Sequence, residues 1–191
     1  MSAFRVVDST TRWRAGFLVL DEVHLVGPDG EALTRSVVRH PGAVVVVPID
    51  ADRRHALLVR QFRAAVGAEV LEVVAGKRDV EGEPPEATAR RELEEEIGHR
   101  AGRLEKLCEF YNSPGFTDEY THLYCALDLE PLDAPRAVTA EEAAMTVEPV
   151  ALDRVDELVE RGALCDAKSI IGLLLARRFL ARHDTPAEGG R

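Results

Sequence analysis

The sequence predicts an α+β protein, a mixed α/β sandwich with antiparallel strands at the N-terminus. Two observations carry that expectation. Short β-rich segments are spread through most of the chain, whereas helical signatures are confined to residues 84–97, 155–161 and 167–182. The two kinds are mixed without the regular strand–helix–strand alternation of a doubly wound domain.

Taken in order, residues 17–26 and 37–38 are β-rich and apolar, and Gly27-Pro28-Asp29-Gly30 between them is a strong turn signal, so this region is expected to form a hairpin. Residues 43–49 form a continuous valine-rich run, the pattern of a strand buried on both faces. After the polar turn at 50–54, residues 55–62 and 70–74 each read as one strand. Residues 84–97 read as a helix, with proline in the first turn and Gly98 just past the end. Residues 104–111 and 121–129 are strands flanking a loop at 112–119, and 130–140 is a loop rich in proline and alanine. A short strand at 145–152 precedes the last two helices, and the chain from His183 is expected to fray.

Composition narrows the function. A chain of 191 residues fits one domain with a small addition. Its longest apolar runs, 43–48 and 170–176, are far too short to span a bilayer, and the N-terminus lacks a signal-peptide pattern. Cys108, Cys125 and Cys165 are scattered, with no metal-ligand spacing, as expected of a reduced cytoplasmic protein. The net charge of −10 argues against a nucleic-acid binder, which needs a basic face for phosphates. Seven acidic residues fall within residues 81–96, a run that in most proteins is a solvated helix face.

The spacing within that run points elsewhere. Glu92, Glu95 and Glu96 stand at i, i+3 and i+4 and share a helix face, while Ala89, Leu93 and Ile97 form an apolar stripe that would dock the helix on a sheet. Arg91 offsets part of the repulsion through Glu95 at i+4. A divalent cation would resolve the rest, since hard ions take oxygen ligands and keep positions for water and phosphate.

From Gly76 the chain runs six residues to Glu83, seven more to Arg91-Glu92-Leu93, then Glu95-Glu96 and Gly98. This resembles the Nudix box, Gly-x5-Glu-x7-Arg-Glu-U-x-Glu-Glu-x-Gly-U, where U is a bulky apolar residue. The chain departs from it by one extra residue between Gly76 and Glu83, in a loop where an insertion is easily absorbed, and by His99 at the last apolar position. The resemblance implies a Nudix fold with N-terminal strands over residues 1–40, a hydrolase domain over 41–183 and a flexible tail over 184–191. It implies that Glu92, Glu95 and Glu96 ligate Mg²⁺ or Mn²⁺, that Ala75 adds its backbone carbonyl, and that Arg91 orients the carboxylates for catalysis. Glu83 is expected to be structural.

Outside the box, Ser113-Pro114-Gly115 lies sixteen residues beyond Gly98, counted to Pro114. With His40-Pro41-Gly42-Ala43-Val44, Arg60-Gln61-Phe62-Arg63 and Leu71-Glu72-Val73-Val74-Ala75-Gly76, it resembles the ADP-ribose pyrophosphatase subgroup, over residues 17–175. That likeness implies hydrolysis of ADP-ribose to AMP and ribose 5-phosphate. Other nucleotide sugars, nucleoside triphosphates and a non-catalytic ADP-ribose sensor are the alternatives, though a sensor should carry a broken carboxylate set and this one is intact. Arg63 and Glu72 are expected to touch the substrate, with Arg39, Glu119 and Pro114 as further members of the pocket. The general base is expected to be Glu141 or Glu142, ahead of the strand at 145–152. The subgroup also implies a homodimer that exchanges its N-terminal strands and stacks Phe17 or Trp13 on the adenine of the partner's substrate.

Overall fold

The computed structural model describes residues 3–133 and 143–183, so the expected flexible tail and the two candidate bases, Glu141 and Glu142, lie outside the described residues. Strands β1 (Arg5–Ala15), β2 (Leu18–Val26) and β3 (Ala32–Arg39) form an antiparallel sheet in the order β1-β2-β3. The expected turn joins β2 and β3, closed by Gly30 N–H donating to the Gly27 carbonyl at 3.1 Å, with Gly30 at a φ of 84° that suits glycine. β1 has no counterpart in the sequence reading. All eleven of its residues are exposed, so nothing imposes an apolar period on it, and its pairing with β2 from Arg5↔Val26 to Ala15↔Leu18 is what makes it a strand.

The body of the molecule is built around β4 (Ala43–Pro48), every residue of which is buried. β4 sits inside a four-stranded sheet of order β7-β4-β9-β8, antiparallel to β7 (Val74–Lys77) and parallel to β9 (Tyr120–Pro131). β8 (His99–Tyr111) closes one edge against β9. A second sheet, β10-β5-β6, combines β10 (Thr146–Ala151), β5 (His55–Arg63) and β6 (Ala68–Glu72).

Two expectations are corrected here. Residues 70–74 are not one strand: the chain leaves the second sheet after Glu72 and enters the first at Val74. Val73 marks the crossing, fully buried, with its N–H donating to Ser169 Oγ at 2.9 Å. An unbroken apolar run carries no mark of such a change of sheet. The loop expected from residue 130 begins later, because β9 runs through Pro131 and Leu132 N–H still bonds the Gly98 carbonyl at 2.8 Å.

The alternation of β4 sets the layers. Val44 and Val46 pack in one cluster with Ala89, Leu93 and Ile97, the apolar stripe of α1 (Pro85–Glu96) and its C-cap. Val45 and Val47 face the opposite way, into a cluster with Leu58, Leu71, Leu123 and residues of α3 (Ala167–His183). The short α2 (Val155–Glu160) buries Val155 in that same cluster. Each such side chain contributes about 1.5–3 kcal/mol when fully buried. The N-terminal sheet joins this body through few contacts: Val38 N–H donates to the Phe116 carbonyl at 2.8 Å, and Arg39 bridges Asp21 at 3.0 Å and Asp118 at 3.1 Å.

α3 approaches β4 closely only because residue 172 is glycine. A Cβ there would lie 2.8 Å from Val47 Cγ2 and 3.2 Å from Leu123 Cδ1, both on fully buried side chains. Alanine in mid-helix ordinarily gains about 0.5–1 kcal/mol over glycine, but overpacking a filled core costs about 1–3 kcal/mol. Gly172→Ala should therefore lose about 1 kcal/mol of stability in urea unfolding, with the slope unchanged. A variant as stable as the parent would show that the layers can separate without cost.

Candidate functional site

The site grows from the segment that links β7 to α1. The extra residue of the box is taken up at 78–84, where Glu83 N–H bonds the Val80 carbonyl at 3.2 Å and Gly82 adopts a φ of 77°. Glu83 then ties this loop to the helix: its Oε2 accepts from Thr88 Oγ1 at 2.8 Å and lies 3.5 Å from Arg91 Nη2. Gly98, at a φ of 64°, follows the C-cap and lets the chain turn directly into β8.

With Ala89 and Leu93 fixed on the sheet, the carboxylates fall along one edge of the helix. Glu92 and Glu96 are buried, at 7% and 9% exposure. Arg91 Nη1 lies 2.8 Å from Glu95 Oε2 and 2.8 Å from Glu92 Oε1, so the guanidinium sits among the box glutamates. Burial works against the charge of Arg91, but Glu92, Glu83 and Glu95 together outweigh it and raise its pKa.

Glu96 has no comparable partner. Its nearest donor is Ala75 N–H at 3.4 Å, and burial, followed by repulsion from Glu92, pushes its pKa up to about 8. Arg63 offsets only part of this, so the carboxylate set remains short of positive charge. Among the described residues no acidic, histidine or cysteine side chains are already gathered into a metal cage. The donor set nevertheless suits a hard divalent cation, being all carboxylate oxygen with an uncompensated member. The backbone leaves room for this set: a Cβ on Gly76 would fall 1.9 Å from Glu92 Cδ, so only glycine admits the Glu92 side chain there.

These residues form part of the wall of a cleft of about 630 Å³. Of the residues singled out in the sequence, the structure brings Phe17, Arg63, Ala75, Arg91, Glu92, Glu95, Glu96 and Glu119 to that wall. Phe17 makes an edge-on contact with His40 at 5.2 Å between ring centroids, and Lys77 Nζ lies 4.5 Å over its ring. Trp13 stays on β1, 54% exposed.

Three candidates are engaged away from the wall. Arg39 is held by Asp21 and Asp118 in the joint between the N-terminal sheet and the body. Pro114 is exposed in the turn whose next residues receive β3, through the Val38 contact to Phe116 and Asp118 N–H donating to Val38 at 3.3 Å. Glu72 is 2% exposed, and both its oxygens are taken by Arg63, from Nε at 2.6 Å and Nη2 at 2.7 Å. Glu72 thereby fixes the arginine that faces the cleft, because in an apolar strand its burial requires a fork of that kind.

The wall also contains residues that sequence reasoning passed over, notably Gln61, His40 and Lys168. Gln61 is two residues from Arg63 on β5 and shares its face, so strand periodicity could have found it. Its Nε2 is buried without a hydrogen-bond partner. Lys168 carries a subtler signal, a cation in the first turn of a helix, where the helix dipole disfavours it.

The fold and the box in its cleft define the class: the chain belongs to the Nudix family, whose NUDIX domain it matches over residues 38–173. Among particular relatives, it is 41% identical over 152 residues to an ADP-ribose pyrophosphatase of Bacillus subtilis (strain 168), covering 80% of each chain. It is 36% identical over 171 residues to an ADP-ribose pyrophosphatase of Mycobacterium tuberculosis, covering 90% of this chain and 82% of that one. A solved structure described as an ADP compounds hydrolase shares the fold with a TM-score of 0.81 at 24% identity, covering 96% of this chain and 97% of the other.

The cradle at Gly76 makes a direct prediction. Gly76→Ala keeps an unstrained backbone but forces the Glu92 carboxylate aside, so Mn²⁺ affinity, followed by electron paramagnetic resonance, should fall on the order of tenfold to a hundredfold with the fold intact. A stable variant that binds Mn²⁺ like the parent would remove Glu92 from the cation site.

Proposed function

We propose that this chain hydrolyses the pyrophosphate bond of ADP-ribose, giving AMP and ribose 5-phosphate, with Mg²⁺ or Mn²⁺ held by Glu92, Glu95 and Glu96. The observation that carries this reading is the pairing of Glu92 and Glu96 in one cleft, short of positive charge, with Arg63 on the same wall. Such a site accepts a polyanion only together with cations. The two relatives named as ADP-ribose pyrophosphatases support the choice of substrate.

The chain's own groups divide the work. Arg91 holds Glu92 and Glu95 in place, and Glu83 holds Arg91. Arg63, with Nε and Nη2 committed to Glu72, offers its remaining N–H groups to a phosphate oxygen. Phe17 and His40 form an aromatic corner suited to a nucleobase, and burial lowers the pKa of His40, favouring the neutral ring. Glu141 or Glu142, between β9 and β10, is assigned as the base that takes the proton of the attacking water. When bound, the cations neutralise the diphosphate and acidify that water. Water oxygen bonds to one phosphorus as the bridging P–O bond breaks, and each product leaves with one phosphate.

A substrate panel tests the reading. With Mg²⁺ or Mn²⁺ the protein should release AMP and ribose 5-phosphate from ADP-ribose faster than it cleaves GDP-mannose or a nucleoside triphosphate, and EDTA should abolish turnover reversibly. Preferred cleavage of a different nucleotide would overturn the substrate, and full activity in EDTA would overturn the cation role.

The chain is further proposed to act in the cytoplasm, where Cys108, Cys125 and Cys165 stay reduced. It is also proposed to act as a homodimer that exchanges its N-terminal sheet. β1 exposes Val6, Val7 and Trp13 at 60%, 50% and 54%, beside Phe4 at 53%, an apolar surface that a second copy would cover. Light scattering should give twice the chain mass, and removal of residues 1–35 should yield aggregated or unstable protein. A soluble, fully active monomer after that deletion would refute the exchange.

A further inference from the structure

Among the described residues, the guanidinium of half-buried Arg78 has one hydrogen-bond partner, and that partner is not a carboxylate. Its Nη1 lies 3.3 Å from His122 Nε2, while its Nε is buried without a partner. An arginine stays charged and can only donate, so His122 Nε2 must carry the lone pair. That fixes the tautomer: the ring proton sits on Nδ1, 2.6 Å from Glu109 Oε1. Glu109 also accepts from Lys106 Nζ at 2.5 Å and from Tyr120 OH at 3.1 Å. These donors, Lys106 foremost, hold the Glu109 pKa down at about 2.

This chain of bonds runs beside the cleft, on the α1 face of the sheet. Tyr120, His122 and Tyr124 alternate along β9 on one face, and Tyr124 packs with Ala89 and Leu93 of α1. His122 pairs with Val44 on one side and with Glu109 on the other. Arg78 N–H donates to the Gly42 carbonyl at 3.1 Å, and a Cβ on Gly42 would lie 3.8 Å from Arg78 Cδ and Nη1. Lys77 and Asp79, on either side of Arg78, line the cleft, whereas the Arg78 side chain reaches back to His122. Lys77 lies over the Phe17 ring, and Gly76 receives Glu92. The loop that follows carries one residue more than the box pattern and is tied at both ends. Glu83 binds Thr88 and Arg91 at the far end, and Arg78 binds His122 at the near one.

We propose that His122 is a positioning residue for the hydrolysis, holding the start of the box loop through Arg78 so that Gly76 and Lys77 keep their places against Glu92 and Phe17. The inference rests on the hydrolase reading above and adds to it two residues, His122 and Arg78, that stand outside the cleft wall. Glu109 acts one step further out. By taking the Nδ1 proton it leaves Nε2 free to accept, and a proton on Nε2 would instead face the guanidinium and end the tether.

The test removes either end of the tether. His122→Phe keeps a ring without an acceptor, and Arg78→Met keeps the stem without a donor and serves alone should the first variant not fold. His122→Gln restores both roles of the neutral ring, since its amide can accept from Arg78 and donate to Glu109. In the first two variants kcat/KM for ADP-ribose should fall on the order of tenfold, the effect of a small misplacement at the site. Amide hydrogen exchange over residues 76–84 should quicken, with the thermal midpoint near that of the parent. The double variant should lose no more than either single one, and His122→Gln should recover most of the loss. Parental kcat/KM and parental exchange in His122→Phe and Arg78→Met would overturn the positioning role and leave the hydrolase reading standing. Losses that add in the double variant, or that follow a lowered thermal midpoint without rescue by His122→Gln, would overturn it in favour of a packing role. A parent protein that cleaves no pyrophosphate substrate with Mg²⁺ or Mn²⁺ would overturn both.

Discussion

The burial of β4 on both faces is the constraint from which the rest of the arrangement follows. Val44 and Val46 require an apolar cover on one side, and the stripe Ala89, Leu93 and Ile97 supplies it. Val45 and Val47 require one on the other, supplied by the second sheet and α3. Once the apolar stripe of α1 is committed, its remaining face has a fixed direction, and Glu92 and Glu96 are carried to the edge of the sheet beside Ala75 and Gly76. The site glutamates are thus aimed by packing several residues away from them. A helix free to roll by one residue would turn those carboxylates by about 100°.

That aim comes with an electrostatic cost that the protein only half relieves. Arg91 serves Glu92 and Glu95, Glu83 steadies Arg91, and Glu96 is left protonated more readily than an ordinary carboxylate. Elsewhere the same molecule satisfies a buried carboxylate fully, with the Arg63 fork on Glu72. Of these two buried glutamates, Glu72 is paired in full by the Arg63 fork, whereas the charge of Arg63 offsets only part of what burial and Glu92 impose on Glu96.

How far this was legible in the sequence depends on whether a residue's role is local. The spacing of Glu92, Glu95 and Glu96 against Ala89, Leu93 and Ile97 fixes two faces of one helix, so both the docking and the carboxylate edge could be read directly. The valine run of β4 announced its double burial for the same reason. The layout failed where a role is set by distant partners. β1 has no buried face in this chain and so no pattern, and the change of sheet at Val73 depends on Ser169, ninety-six residues away in the chain. Arg39 pairs with Asp118 and Glu72 with Arg63, and no property of the separate segments reveals those pairings. The residues just after the Ser-Pro-Gly segment likewise meet a distant partner, β3, through Phe116 and Asp118.

The two covers of β4 also explain how one cleft comes to hold opposed charges. α1 and α3 lie on opposite faces of the strand, yet α1 brings its acidic edge and α3 brings the first turn that carries Lys168 to the same end of the sheet. They meet there because the crossing between β6 and β7 passes between them, bonded to Ser169 on one side and leading to the glycine that receives Glu92 on the other. Acidic and basic walls can then be held by separate, well-packed layers. Neither wall has to be neutralised in full by the other to remain in place. The close approach of α3 to β4 at Gly172 is part of what fixes where the first turn of α3 meets the cleft.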